Sequence, residues 1–355
     1  MKVCSECGVP YAVSKEHVWS ENGVITQAKD PDHRMVFYES DNLDILFQGI
    51  EDIIGLPIEH IVIESKRREV KEYVENLLSP LARKAARYVG MGAMIRKLSR
   101  IGKAFGYGNV RLADRRVRFN DDDYVSMVIS NPHSILFYCG ENLGAWEAID
   151  GRQSRVKYEE LMENTFEVTN YIGEHPIELS ERLEGRAYRF KPGDIHFDRC
   201  DKCGVPLDVA RCRWNLELGT ITDPNSGRRM AIFGPAGFEA ITDDLEVELG
   251  EAIPEAVIEA QRRYAKQTLS AETLPRDSRE NMDFRGMLSM RGLGNLVQLE
   301  FDEQGVTAVI ENSCMHLLMV GLIQGIFETL FGYDKSAYEW DLKDDGDLYV
   351  GIKKI

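Results

Sequence analysis

Apolar residues gather in two short early runs, VWSENGVIT from Val18 and RMVFY from Arg34, both rich in β-branched and aromatic residues. Such runs, separated by turn-forming residues, predict β-strands. The spacing then changes. DNLDILFQGIEDII carries apolar residues at helical intervals, and PIEHIVIESKRREVKEYVENLL opens on a proline suited to a first helical turn. Ile58, Ile61, Val62, Val70 and Val74 lie broadly on one face of that second helix, with the charges largely elsewhere. Beyond Gly106 the pattern predicts two strands (NVRLADRRVRF, YVSMVIS), a helix (HSILFYCGENLGAWEAI) and two more strands (RVKYEEL, TFEVTNYI). The expected unit is antiparallel α+β with one strongly apolar helix.

The same order returns in the second half as NLVQLEF, VTAVIE, MHLLMVGLIQGIFETLF, AYEWDL and DLYVGIKK. The local matches are closer still. CSECGVP from Cys4 matches CDKCGVP from Cys200, Trp19 matches Trp214, and Arg34-Met35 matches Arg229-Met230. Val62, Ile63, Glu64, Arg67 and Arg68 match Val257, Ile258, Glu259, Arg262 and Arg263. Asn131, Gly140, Gly144, Glu147 and Gly151 match Asn312, Gly321, Gly325, Glu328 and Gly332. The expected fold is therefore two tandem repeats in a pseudo-twofold arrangement. Each repeat has a zinc-knuckle and β-hairpin segment, helices, and an antiparallel sheet on a glycine-containing helix. The expected boundaries are 1–172 for the first repeat, 173–199 for a linker and 200–355 for the second. RAYRF and DIHF within the linker are short-strand candidates.

The 355 residues are 43% hydrophobic and 29% charged, an ordinary globular balance. The net charge of −16 argues against nucleic acid as a main partner, because binding phosphates takes clustered Lys and Arg. It argues equally against an anionic membrane surface, although RKAAR at Arg83 is a local basic patch. No apolar run reaches the length of a membrane span, and MKVCSECG lacks a signal-peptide core. The expected compartment is the cytoplasm, where seven cysteines read as thiols or metal ligands rather than disulfides.

C-x-x-C-G is the shape of a zinc knuckle. One knuckle supplies two ligands where structural zinc takes four, so Cys4, Cys7, Cys200 and Cys203 are expected to close one shared site. A second arrangement stays open. His17 and Cys212 stand at equivalent places before each tryptophan, and each repeat would then hold its own metal, with His33 as a further ligand in the first. Redox C-x-x-C pairs follow a strand and open a helix. Here a proline and β-rich sequence follow instead.

Gly140/Gly144 and Gly321/Gly325 each strip side chains from one helix face. That leaves room either for close helix packing or for a ligand beside Phe137, Leu143, Trp146, Met315, Leu318, Met319, Leu322 and Phe327. Glu147 and Glu328 lie within these apolar helices, where a buried carboxylate needs a partner. Arg67/Arg68 and their counterparts are candidates, and a solvated face is the other reading. His133, Cys314 and His316 stand at the helix starts, where a structural role is the ordinary one. No duplicated nucleophile–base pair, phosphate loop or dinucleotide fingerprint is present.

The pattern G-x-G-N before paired strands, then Asn and a helix reading G-x-x-x-G-x-x-E-x-x-x-G, resembles the 4-vinyl reductase domain. That family is related in fold to heme-NO-binding-like proteins and trafficking-complex subunits. The resemblance covers Gly106–Ile172 and Gly292–Lys354 together with the preceding helices. It implies a hydrophobic small-molecule pocket and a tendency to dimerise, so a homo-oligomer is an expected partner beyond the intrachain pair. Neither repeat carries the cysteine-containing segment that follows the glycine helix in many relatives, so the metal sites of aromatic sensors do not transfer. The expected function is binding of an apolar small molecule, as sensor, carrier or accessory factor, with structural zinc. The alternatives are a reductase or other enzyme acting on a tetrapyrrole or aromatic compound, and a pocket-free scaffold.

Overall fold

The computed structural model describes residues 1–87, 91–175, 189–268 and 284–355. The first half runs α1 (Tyr11–Ser14), β1 (His17–Trp19), β2 (Ile25–Gln27), β3 (Asp30–Glu39), α2 (Asp41–Ile54), α3 (Glu59–Leu77), α4 (Pro80–Ala85), α5 (Met91–Phe105), β4 (Asn109–Arg116), β5 (Tyr124–Ser130), α6 (Ile135–Asp150), β6 (Ser154–Met162) and β7 (Thr165–Ile172). The second runs α7 (Leu207–Ala210), β8 (Arg213–Asn215), β9 (Thr220–Thr222), β10 (Arg229–Phe233), α8 (Pro235–Leu249), α9 (Ile253–Thr268), α10 (Phe284–Met290), β11 (Asn295–Phe301), β12 (Gly305–Glu311), α11 (His316–Phe331), β13 (Ser336–Leu342) and β14 (Leu348–Lys354). The fold is α+β, as the hydrophobic pattern predicts. Among the described residues five helices were not expected from the sequence: α1, α4 and α5 in the first half and α7 and α10 in the second, with α1 and α7 standing where β-rich sequence was expected after each cysteine turn. DIHF makes no strand, and RAYRF lies largely outside the described residues.

The three sheets among the described residues are all antiparallel. Two have four strands, in the orders β4-β5-β7-β6 and β11-β12-β14-β13. The third has six, in the order β1-β2-β3-β10-β9-β8, and is drawn from both halves. Its central pair joins them, with Met230 opposite Glu39 and Phe233 opposite Val36. The residues there, such as Val36, Phe37, Ala231 and Ile232, are fully buried, and one hydrophobic core passes through both halves.

Each half reaches into the other in the same way. Gly294 N–H donates to the Gly23 carbonyl at 3.1 Å, and Gly108 N–H donates to the Gly219 carbonyl at 2.9 Å. The Arg34 guanidinium donates to the carbonyls of Gly292 (2.8 Å), Asn312 (2.6 Å) and Ser313 (3.1 Å). Arg229 donates to those of Asn131 (2.7 Å) and Pro132 (3.2 Å). The asparagines that matched in sequence have φ of +54° and +53°, and these left-handed turns expose the carbonyls the arginines collect. The helices cross over too. α2 packs on α9, and α3 packs on α8, with Asn42 donating to Gln261 (2.6 Å) and Ser65 to Asp244 (2.5 Å).

Candidate metal centre

Each cysteine turn is built by its own backbone. Cys4 N–H donates to the Val9 carbonyl (2.8 Å) and Gly8 N–H to the Cys4 carbonyl (3.0 Å). Cys200, Val205 and Gly204 repeat both bonds at 3.0 and 2.9 Å. Gly8 and Gly204 have φ of +79° and +73°, a conformation that glycine adopts without a Cβ clash. Valines after the turns, Val9 and Val205, anchor both loops in a shared apolar cluster with Val13, Val209, Trp19 and Ile221.

This core brings the four thiols together. Cys4 Sγ lies 3.8 Å from Cys200 Sγ, and Cys7 Sγ lies 3.5 Å from Cys203 Sγ. All four sulfurs fall within 4.8 Å of one another. Zinc–sulfur bonds of about 2.3 Å place tetrahedral corners about 3.8 Å apart, so the set has the dimensions of a four-thiolate site. These separations are far longer than a disulfide, and all seven cysteines are free. Cys4 and Cys200 are buried, while Cys7 and Cys203 are partly exposed. The backbone amides of Cys7 and Glu6 draw the Cys4 thiol down to about 7. Burial pushes Cys7 up to about 12 and raises Cys203. The arrangement can hold a metal ion, and binding would release the remaining thiol protons.

The alternative ligands stand elsewhere. His17 Nδ1 pairs with the Val13 carbonyl at 3.0 Å, and its ring packs edge-on against Phe105. Burial pulls its pKa down to about 4. Cys212 donates weakly to the Asp208 carbonyl, also four residues earlier. His33 packs near Tyr73. Among the described residues, the four knuckle cysteines are the group of three or more ligand side chains close enough to share an ion.

The glycine faces of α6 and α11 hold helix backbone, which corrects the expectation of a cavity beside them. A Cβ on Gly144 would sit 2.3 Å from the Arg67 carbonyl, and one on Gly140 would sit 2.7 Å from that of Ile63. On α11, a Cβ on Gly321 would meet the Ile258 carbonyl at 2.4 Å, and one on Gly325 would meet Ala265 Cβ at 2.6 Å. Phe137, Met315, Leu318, Met319 and Phe327 belong to the main core, and Leu143 is buried. Trp146 packs with Val125 and Met127 and donates to Ser154 Oγ at 3.1 Å. Of the eight, Leu322 lines an opening. It is an apolar crevice of about 20 Å³ on the other side of α11, with Phe284, Met287, Leu296, Phe301 and Ile326 around it. A larger groove of about 600 Å³ lies over the first four-stranded sheet, and its walls mix the charged Asp114, Lys157, Glu159 and Glu167 with the rings of Tyr124, Tyr158 and Tyr171.

The carboxylates inside the glycine helices have partners, against the reading of a solvated face. Glu147 accepts from Arg67 Nη1 (2.6 Å), the Ser154 amide (2.7 Å) and His175 Nε2 (2.7 Å). Glu328 accepts from Arg262 (2.5 Å), Lys266 (2.9 Å) and Ser336 Oγ (2.8 Å). The sequence did not signal a further buried cluster. Lys66 pairs with Glu69 at 2.6 Å and stands 4.0 Å from Glu141, which lies 3.4 Å from His133 Nε2. Burial opposes the Lys66 charge, but Glu69 and Glu141 hold its pKa above the ordinary lysine value. His133 stacks on Tyr107 at 4.1 Å. In the aligned second half Cys314 and Leu322 stand where His133 and Glu141 do, so a comparison of the repeats position by position would have exposed the cluster.

No family model and no curated protein matches the chain. One solved structure, from work probing the function of heme distortion in the H-NOX family, is 17% identical over 33% of this chain and 70% of its own, with a TM-score of 0.23. A similarity that low carries no argument for fold or function.

Proposed function

We propose that the chain is a 4-vinyl-reductase-like binding protein for an apolar small molecule, with its two halves stapled by one structural zinc. The observation that carries the zinc is the four-thiol set, contributed in pairs by loops 196 residues apart in sequence. Sulfur-only coordination selects zinc over the hard cations, and four thiolates leave no open position for chemistry. Purified protein is expected to hold one zinc per chain, and Cys200→Ser to lose it. Two zincs per chain, or undiminished zinc in the variant, would return the reading to one metal per repeat.

The ligand seat is the crevice between α10, β11, β12 and α11, whose lining is wholly apolar. It is too small for an organic ligand as it stands, so entry displaces the seven-residue α10. Met287→Trp fills the crevice from α10. It should weaken binding of a fluorescent apolar probe at least about tenfold while zinc content holds. A second reading, a pocket-free scaffold, draws support from the filled glycine faces. Absence of saturable probe binding to the wild type would favour it.

A further inference from the structure

We propose that α4 and α5 form a docking face for an anionic lipid surface. Residues 76–113 carry eight Lys and Arg and no Asp or Glu. The whole chain is −16, so the segment's +8 leaves −24 for the remainder. The corresponding stretch of the second half, residues 269–294, balances four acids with four arginines. The cationic segment is thus a local property of the first half, which a whole-chain average conceals.

The structure gives the charges a face. On α5, Arg96, Lys97, Arg100 and Lys103 fall on one side, with Ile95, Leu98, Ile101 and Phe105 opposite. Arg96, Lys97 and Arg100 are exposed, and they and Lys103 make no ion pair among the described residues. By contrast, Arg83 pairs with Glu75 and Arg87 with Asp150. The helix is held in place: Ser99 Oγ donates to the Val110 carbonyl at 2.9 Å, and Ile95 packs beside Trp146. Its apolar side is incompletely covered, with Leu98 49% exposed. On α4, Leu81 is 81% exposed and stands one turn before Lys84.

An amphipathic helix with cations along one side and an uncovered leucine on the other suits a headgroup layer, where charge meets phosphate and the apolar chain enters beneath it. Duplex phosphates would use the cations but offer the leucines nothing. The negative remainder is repelled by the same surface, so a single orientation is favoured on approach.

The test is co-sedimentation of the full chain with phosphatidylcholine vesicles, with and without phosphatidylserine. Binding is expected only with phosphatidylserine and should fall as salt rises. Arg96→Gln, Lys97→Gln and Arg100→Gln combined should weaken it roughly a hundredfold. Leu98→Ser should weaken it several-fold with the salt dependence kept. Matching thermal unfolding would show that the variants retain the fold. No binding to either vesicle, equal binding to both, or undiminished binding by the triple variant overturns the proposal. So does an α5-dependent affinity for duplex DNA, or an α5-dependent dimer, without vesicle binding.

Discussion

His17 is a base held where it cannot easily take a proton. It is 5% exposed, and its neutral ring bonds one carbonyl while packing on Phe105. Its folded pKa near 4 lies below the ordinary value of 6.5. Between those values the unfolded chain binds a proton that the folded chain refuses, so stability is full above pH 6.5 and falls as pH drops toward 4. The loss amounts to roughly 3 kcal/mol by the acid end of that window. The second half buries Cys212 at the equivalent place, so His17→Cys is the substitution the protein itself suggests. Urea titrations from pH 7 to about 4 should show His17→Cys losing less stability than the wild type. Parallel decline in both would remove His17 as the cause. The four-cysteine cluster was legible at this scale because a C-x-x-C-G turn announces its backbone and its thiols together. The role of His17 was not, because position alone does not distinguish a ligand from a core histidine.

Helices α6 and α11 show how one pattern serves two ends. Two glycines a turn apart among apolar residues leave the same gap for a ligand or for another helix. What decided between them was the backbone of α3 and α9, which no local pattern reveals. Gly144→Ala would press a methyl on the Arg67 carbonyl, and Gly325→Ala would press one on Ala265. Each should cost about 1–3 kcal/mol in calorimetric unfolding, with Gly144→Ala the worse because carbonyl and amide backbone yields less than a side chain. Unchanged stability in both would mean these helices are looser than they stand. The ion pairs fit the same picture: Arg67, rather than Arg68, turns toward Glu147 because it lies on the α3 face that α6 covers. Helix α5 escaped the sequence reading for a different reason. It lies in residues 76–105, a stretch whose sequence does not recur at the corresponding place in the second half.

Across the whole molecule, the two halves exchange parts. Arg34 serves turns of the second half and Arg229 serves those of the first, and the six-stranded sheet has its middle at their junction. The order of elements was readable from the chain, because alternation and helical spacing are local. The exchange was not, since equivalent segments fit equivalent partners whether the pairing is within a half or across. Residues 200–355 expressed alone retain β10, Arg229 and the Asn312 turn, the equivalent of the Asn131 turn that Arg229 serves in the intact chain. Two copies can satisfy each other, and the fragment should sediment as a homodimer. A stable folded monomer would show that the exchange is dispensable.

The junction strand also sets a schedule. Strand β3 leaves the ribosome complete, but its neighbour β10 follows about 190 residues later, which at roughly 5–20 residues per second is tens of seconds. Through that interval Val36, Phe37 and Tyr38 form an unpaired apolar edge, the kind that captures other strands. On a crowded message the nearest matching edge belongs to the next chain in line. The protein therefore matures correctly only when its own second half wins a race against its neighbours.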